Sequence, residues 1–161
     1  MIALLPVLLT TGWVAMLVAA PVLPGLAAAV VYGIGSFICH QLPERSFHIA
    51  AFQLPVCARC LGIYVGVSAG VVYVWKQAAG GRPVPSLLPR TARGLGALAA
   101  TPTLLTVALE ATGVWNPSNL TRAIVGLPLG ALVGLVVMST LATLHYDECV
   151  PPRPTVPKPP H

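Results

Sequence analysis

Three cysteines and a histidine stand in two short stretches of this chain. Cys39 and His40 are adjacent, and Cys57 and Cys60 follow after sixteen intervening residues, in the pattern C-H-x16-C-x2-C. Two thiolates at C-x2-C spacing can grip one tetrahedral ion, and an imidazole nitrogen supplies a ligand of borderline softness. The four side chains Cys39, His40, Cys57 and Cys60 therefore suggest a transition-metal site, with Zn2+ favoured and other transition metals open. The same sulfurs admit a second chemistry. A C-x-x-C at a helix N-terminus, beside Arg59, is a candidate thiol–disulfide couple, because the helix dipole and the cation both favour the thiolate. A structural disulfide or buried free thiols, in a structural or assembly subunit, is the third possibility.

Charged residues elsewhere add to this constellation. Glu110 interrupts an apolar run, and an acid at membrane depth is costly unless it is used. It lies 17 residues after Arg93, or about 25 Å along a helix. That places it near the level of the cysteines. Arg122, at the start of the following apolar run, is its natural partner, and the pair reads either as a stabilising ion pair between helices or as a second shell or path for an ion or proton. Arg45 and Arg59 join them as anion-binding groups or as anchors that snorkel to headgroups. A separate group, His145, Asp147, Glu148 and Cys149, reads as a polar helix exit, and His48 as a solvated loop residue. The chain lacks a G-x-x-x-x-G-K-[ST] loop, a G-x-S-x-G elbow and an H-E-x-x-H pair, so the familiar hydrolase chemistries find no support. No catalytic residue and no organic cofactor are assigned.

The elements that position these residues follow from composition. Of 161 residues 56% are hydrophobic and only 8% are charged, with a mean hydropathy of +0.83. Soluble domains carry about a quarter charged residues to wet their surface. Nine basic and four acidic side chains cannot do so here, and lipid must cover most of the exterior. The basic residues lie between apolar runs, not in a stripe with interleaved aromatics, so the net charge of +5 reads as a topology signal and not as a nucleic-acid surface. The expected partners are the bilayer and a metal ion; nucleic acid is excluded, and protein partners are left open.

The apolar runs predict an all-α integral membrane bundle of about five helices. Residues 2–23 have no Lys or Arg at their start and exceed a signal-peptide core in length, so they read as a first transmembrane helix. Residues 26–38 are too short to span and form a short or re-entrant helix. Residues 41–59 read as a compact polar loop docked at the interface. Residues 60–75, 94–114 and 121–144 complete the set. The third and fifth runs carry Gly62, Gly66, Gly70 and Gly126, Gly130, Gly134 at four-residue spacing, which lets helices approach closely in lipid. The domain spans 1–148, and 149–161 form a proline-rich, disordered tail.

Lys76, Arg82, Arg90 and Arg93 mark residues 76–93 as cytoplasmic, with the C-terminus on the same side of the cell (inner) membrane. Five crossings then put the N-terminus and the cysteines outside. If the short run is re-entrant, the N-terminus alone moves inside.

Two of these stretches carry a resemblance. C-H-Q-x-P-x-R-S-F at 39–47 and Q-L-P-V-C-A-R-C-x-G-I-Y at 53–64 closely resemble motifs of a family of small prokaryotic membrane proteins, domain of unknown function 2085. A third element is similar: Glu110 followed by S-N-x-x-R-x-x-x-G at 118–126. The family pattern often has Asp where Glu110 stands, and Thr or Ser where Val125 precedes the glycine. The resemblance covers roughly residues 30–140 and implies a polytopic membrane protein built around the C-H and C-x-x-C motifs. It implies no activity.

Overall fold

The computed structural model describes residues 4–49, 51–84 and 89–149, and the side chains among them up to Thr143 apart from that of Pro89. Helix α1 (Leu4–Ala19) runs into a 3-10 turn (Ala20–Val22), and α2 (Gly25–Ile38) follows directly. A 3-10 turn (Pro43–Arg45) and a two-stranded hairpin, β1 (His48–Ile49) with β2 (Phe52–Gln53), make up the polar interruption. Three long helices complete the chain: α3 (Ala58–Ala79), α4 (Pro89–Ala111) and α5 (Asn119–Cys149). The proline-rich tail expected at the C-terminus lies outside the described residues. So do the side chains of His145, Asp147, Glu148 and Cys149.

Four segments, α1 with its 3-10 turn (Leu4–Val22), α3, α4 and α5, are long and apolar enough to cross a membrane. Their outward residues are those a soluble fold would hide. Leu8, Leu98, Leu104 and Leu120 are each more than half exposed, which is stable only against lipid. The 14 residues of α2 cover roughly 20 Å and cannot span.

The direction of α1 decides what α2 does. Val7 packs with Val71, Val74 and Met138, at the far end of α3. Trp13 meets Tyr64 edge-on, with ring centroids 6.2 Å apart. Leu17 and Ala20 pack in one cluster with Cys39 and Val56. Helix α1 therefore runs antiparallel to α3 and ends at the cysteine end of the bundle. Helix α2 begins and finishes at that same end, so it is not a fifth crossing. Of the two courses open to residues 26–38, α2 takes the short, re-entrant one, beside four helices long and apolar enough to cross, and the start of α1 packs at the same end of the bundle as the C-terminal part of α3. Periodicity cannot distinguish these cases, because both need the same apolar run.

Helices α3 and α5 are locked by their glycines. A Cβ at Gly62, Gly66 or Gly70 would strike the backbone carbonyls of Ala123, Leu127 and Ala131 respectively. One at Gly126, Gly130 or Gly134 would strike those of Arg59, Ile63 and Val67. The two rows interleave with backbone against backbone, the contact that small residues at this spacing permit in lipid. This register brings Arg59, in the first turn of α3, level with the start of α5. We expect Gly130→Leu to separate the pair and lower the detergent-resistant folded fraction at least severalfold, read by thermal aggregation or limited proteolysis. Leu98→Ala, on the lipid-facing surface, should change little. Equal behaviour of the two variants would show that the glycine seam is not the organising contact.

Candidate metal centre

The polar interruption acts as a lid that sets the two cysteine stretches side by side. Helix α2 ends where Cys39 turns extended, its N–H still donating to the Gly35 carbonyl at 2.9 Å. Gln41 then adopts a left-handed backbone (φ 51°), an uncommon conformation for a side chain of its size. In that conformation its Nε2 donates to the carbonyls of Tyr32 and Pro55, both at 2.8 Å. Gln53 Nε2 donates back to the Gln41 carbonyl at 2.6 Å, and the Tyr32 hydroxyl donates to the Gln53 carbonyl. Gly35 has no Cβ because the Pro55 carbonyl occupies that space. Leu54, Pro55 and Val56 are fully buried beneath this network. Cys57, extended at φ −68° and ψ 158°, is the cap of α3.

The three sulfurs converge as a result. Cys39, Cys57 and Cys60 offer sulfur atoms that all lie within 4.8 Å of one another, and all three are free thiols. The Cys57 N–H donates to the Cys39 sulfur at 3.1 Å. The Cys57 thiol is held well below the usual range, at about 5. The Cys60 thiol donating to it is the main cause, helped by the α3 backbone N–H groups of Cys60 and Arg59 and by the Cys39 thiol, against the opposing effect of burial. A cluster of this kind can hold a metal ion. His40 is exposed and lies outside the sulfur group, although it lines the same cavity.

Beside the sulfurs is a cluster of cations around one acid. Glu110, with a side chain 6% exposed, pairs with Arg122 Nη2 at 2.7 Å, Arg45 Nε at 3.0 Å and Arg59 Nη2 at 3.1 Å. Arg122 is itself buried. Its Nη1 donates to Asn119 Oδ1 at 2.8 Å and its Nη2 to Asn116 Oδ1 at 2.6 Å. Arg59 Nη2 also reaches Thr106 Oγ1 at 3.4 Å. Asn119 Nδ2 donates to the Ser46 carbonyl at 2.9 Å, tying α5 to the lid. Thr103 Oγ1 donates to the Val125 carbonyl at 2.7 Å, tying α4 to α5. A cavity of about 320 Å³ is lined by Cys39, Cys57, Cys60, Arg45, Arg59 and Arg122. The three cysteines and the three arginines thus line one cavity, and Glu110 pairs with all three arginines.

The cysteines, Glu110 and the three arginines stand out by type and spacing, whereas Gln41, Gln53, Asn116, Asn119 and Thr106 do not. Gln41, Gln53 and Asn119 stand inside the motifs quoted above, and that is the signal by which they were open to discovery. Asn116 and Thr106 carry none.

The comparisons with known proteins agree with this architecture. The family model described as predicted membrane protein, domain of unknown function 2085, matches residues 39–136, well over half of the chain. The chain belongs to the domain of unknown function 2085 family. The matched region starts at Cys39 and contains every residue of the sulfur and arginine clusters. The chain is 31% identical over 103 residues to an uncharacterized protein of Methanothermobacter thermautotrophicus, covering 64% of this chain and 85% of that one. It is 52% identical over 42 residues to an uncharacterized protein of Methanocaldococcus jannaschii, covering 26% of this chain and 27% of the relative. The chain thus spans about a quarter of the latter's length. No solved structure matches. The 2085 family member described here is a multi-pass membrane protein by family and by its four long apolar helices.

Proposed function

We propose that this protein binds one soft transition-metal ion, zinc foremost, through the thiolates of Cys39, Cys57 and Cys60. The observation that carries the reading is the convergence of three unbonded sulfurs within 4.8 Å. Metal–sulfur bonds near 2.3 Å in a tetrahedral site need sulfurs about 3.8 Å apart, so a small contraction onto the ion suffices. Thiolate ligands select zinc or Cu(I) over hard cations. Three protein ligands leave a fourth position, which is the mark of a site that does chemistry or passes its ion on, whereas a closed site is structural. His40 lines the cavity but stands outside the sulfur group. Glu110 with Arg45, Arg59 and Arg122 supports the thiolates electrostatically. By the positive-inside bias of Lys76, Arg82, Arg90 and Arg93, we place this end of the bundle on the outer face of the cell membrane, with both chain ends on the cytoplasmic side.

The rival reading is a membrane thiol oxidoreductase in which Cys57 and Cys60 cycle as a disulfide. The low thiol range of Cys57 favours a reactive thiolate. Elemental analysis of protein purified without chelator separates the two. We expect one equivalent of metal per chain, with the three thiols becoming open to alkylation only after the metal is removed. No metal, together with a Cys57–Cys60 bond that must be reduced before alkylation, would replace the first reading by the second.

A further inference from the structure

The cavity beside the sulfurs holds more positive charge than its one acid can balance. Among the described residues Glu110 is the only carboxylate within ion-pair distance of Arg45, Arg59 or Arg122. Its neighbour groups Asn116, Asn119 and Thr106 are neutral acceptors. Glu44, next to Arg45, is exposed and pairs with none of them. Two of the three guanidiniums are shielded from water: the side chains of Arg122 and Arg59 are 4% and 14% exposed. Burying a cation without a counter-charge is expensive, and more so at the edge of a bilayer.

The metal does not remove the excess. Three thiolates around a divalent ion carry one net negative charge, and Glu110 carries a second. The three guanidiniums carry three positive charges. One positive charge is left over, around a cavity of about 320 Å³ whose lining includes Cys39, Cys57, Cys60, Arg45, Arg59 and Arg122. That volume sits at the lower end of small-molecule sites. Guanidiniums are the preferred donors to carboxylates and oxyanions, because their N–H forks match two oxygens at once.

We infer that the cavity takes a small monoanion, which fills the fourth position on the metal and is held by the arginines. The inference rests on the metal reading above and names the ligand class of that same site. A carboxylate or a comparable anion meets both demands: one atom ligates the ion while the rest of the charge lies against Arg45, Arg59 and Arg122. Arg45 is the member reached from outside, with a side chain 41% exposed, and it stands where an anion would enter.

The test uses the full-length protein in detergent, loaded with Co2+ in place of the native ion, and sodium azide as the probe at constant ionic strength. Sulfur-to-cobalt absorption reports the three-thiolate centre, and the visible ligand-field bands report its fourth ligand. We expect azide to shift the visible bands saturably. In Arg45→Ala, with affinity read per bound cobalt, azide should bind about tenfold more weakly, as for a lost charge-assisted hydrogen bond; Arg45→Lys should recover part of the loss. Failure to take up cobalt overturns the metal reading and this inference with it. Cobalt uptake with bands insensitive to azide, or with equal azide affinity in Arg45→Ala, overturns the anion site alone.

Discussion

Replacing Cys39, Cys57 or Cys60 singly with serine is expected to lower zinc affinity on the order of a thousandfold, and by similar factors for all three. Whole zinc sites in small proteins contribute roughly 10–16 kcal/mol, so one thiolate of three accounts for several kcal/mol, or about three powers of ten. The equality is the informative part. Three sulfurs within 4.8 Å make a site without redundancy, whereas a redox pair would need Cys57 and Cys60 and tolerate the loss of Cys39. His40→Ala should stay within about tenfold of the parent, because the ring stands outside the sulfur group. Competition against a chromophoric chelator gives these affinities directly. A Cys39→Ser variant that binds zinc as tightly as the parent would remove Cys39 from the site.

Neutralising Glu110 should cost the fold more than any other single change at this end of the bundle. Glu110→Gln keeps the shape but removes the one negative charge that Arg45, Arg59 and Arg122 share at 2.7–3.1 Å. The donors are already stretched, since Arg59 Nε and Arg122 Nε are buried without a partner. Breaking a buried pair from one side costs about 3–5 kcal/mol, mostly because the other charge stays behind. The melting temperature in detergent should fall accordingly. The double variant Glu110→Gln with Arg122→Gln should lose clearly less than the sum of the two single variants, because each removes the other's stranded charge. Additive losses would mean that the two residues do not act as a pair.

The same cluster joins an acid, arginines and cysteines that lie in separate stretches of the chain. Glu110 sits in the last turn of α4, Arg122 in the first turn of α5 and Arg59 in the first turn of α3. The glycine rows of α3 and α5 bring the Arg59 and Arg122 ends level, and α4, tied to α5 by Thr103 donating to the Val125 carbonyl, brings Glu110 to them. Arg45 arrives from the lid, and Asn119 fastens that lid through the Ser46 carbonyl. A fault in the glycine seam would therefore disperse the charge cluster and, through Arg59, disturb the sulfur site beside it.

Membrane residence was legible from composition alone, because too few charges exist to wet a surface and no packing arrangement can change that count. The ligand-forming residues were legible from type and spacing, since C-x2-C and an isolated Glu within an apolar run are chemically costly or useful wherever they stand. The glycine rows announced a close helix pair in the same way. Which helices they joined, and in what register, required both partners in place. The course of α2 was also beyond the sequence: a run of 14 apolar residues reads alike whether it begins a crossing or returns to its own side. Only the packing of Val7, Trp13 and Leu17 along α1 decided it. The sharing of one carboxylate among three arginines, and the part of Gln41 and Gln53 in closing the lid, are likewise tertiary facts. They depend on which distant groups a side chain can reach within about 3 Å, and no one-dimensional pattern carries that distance.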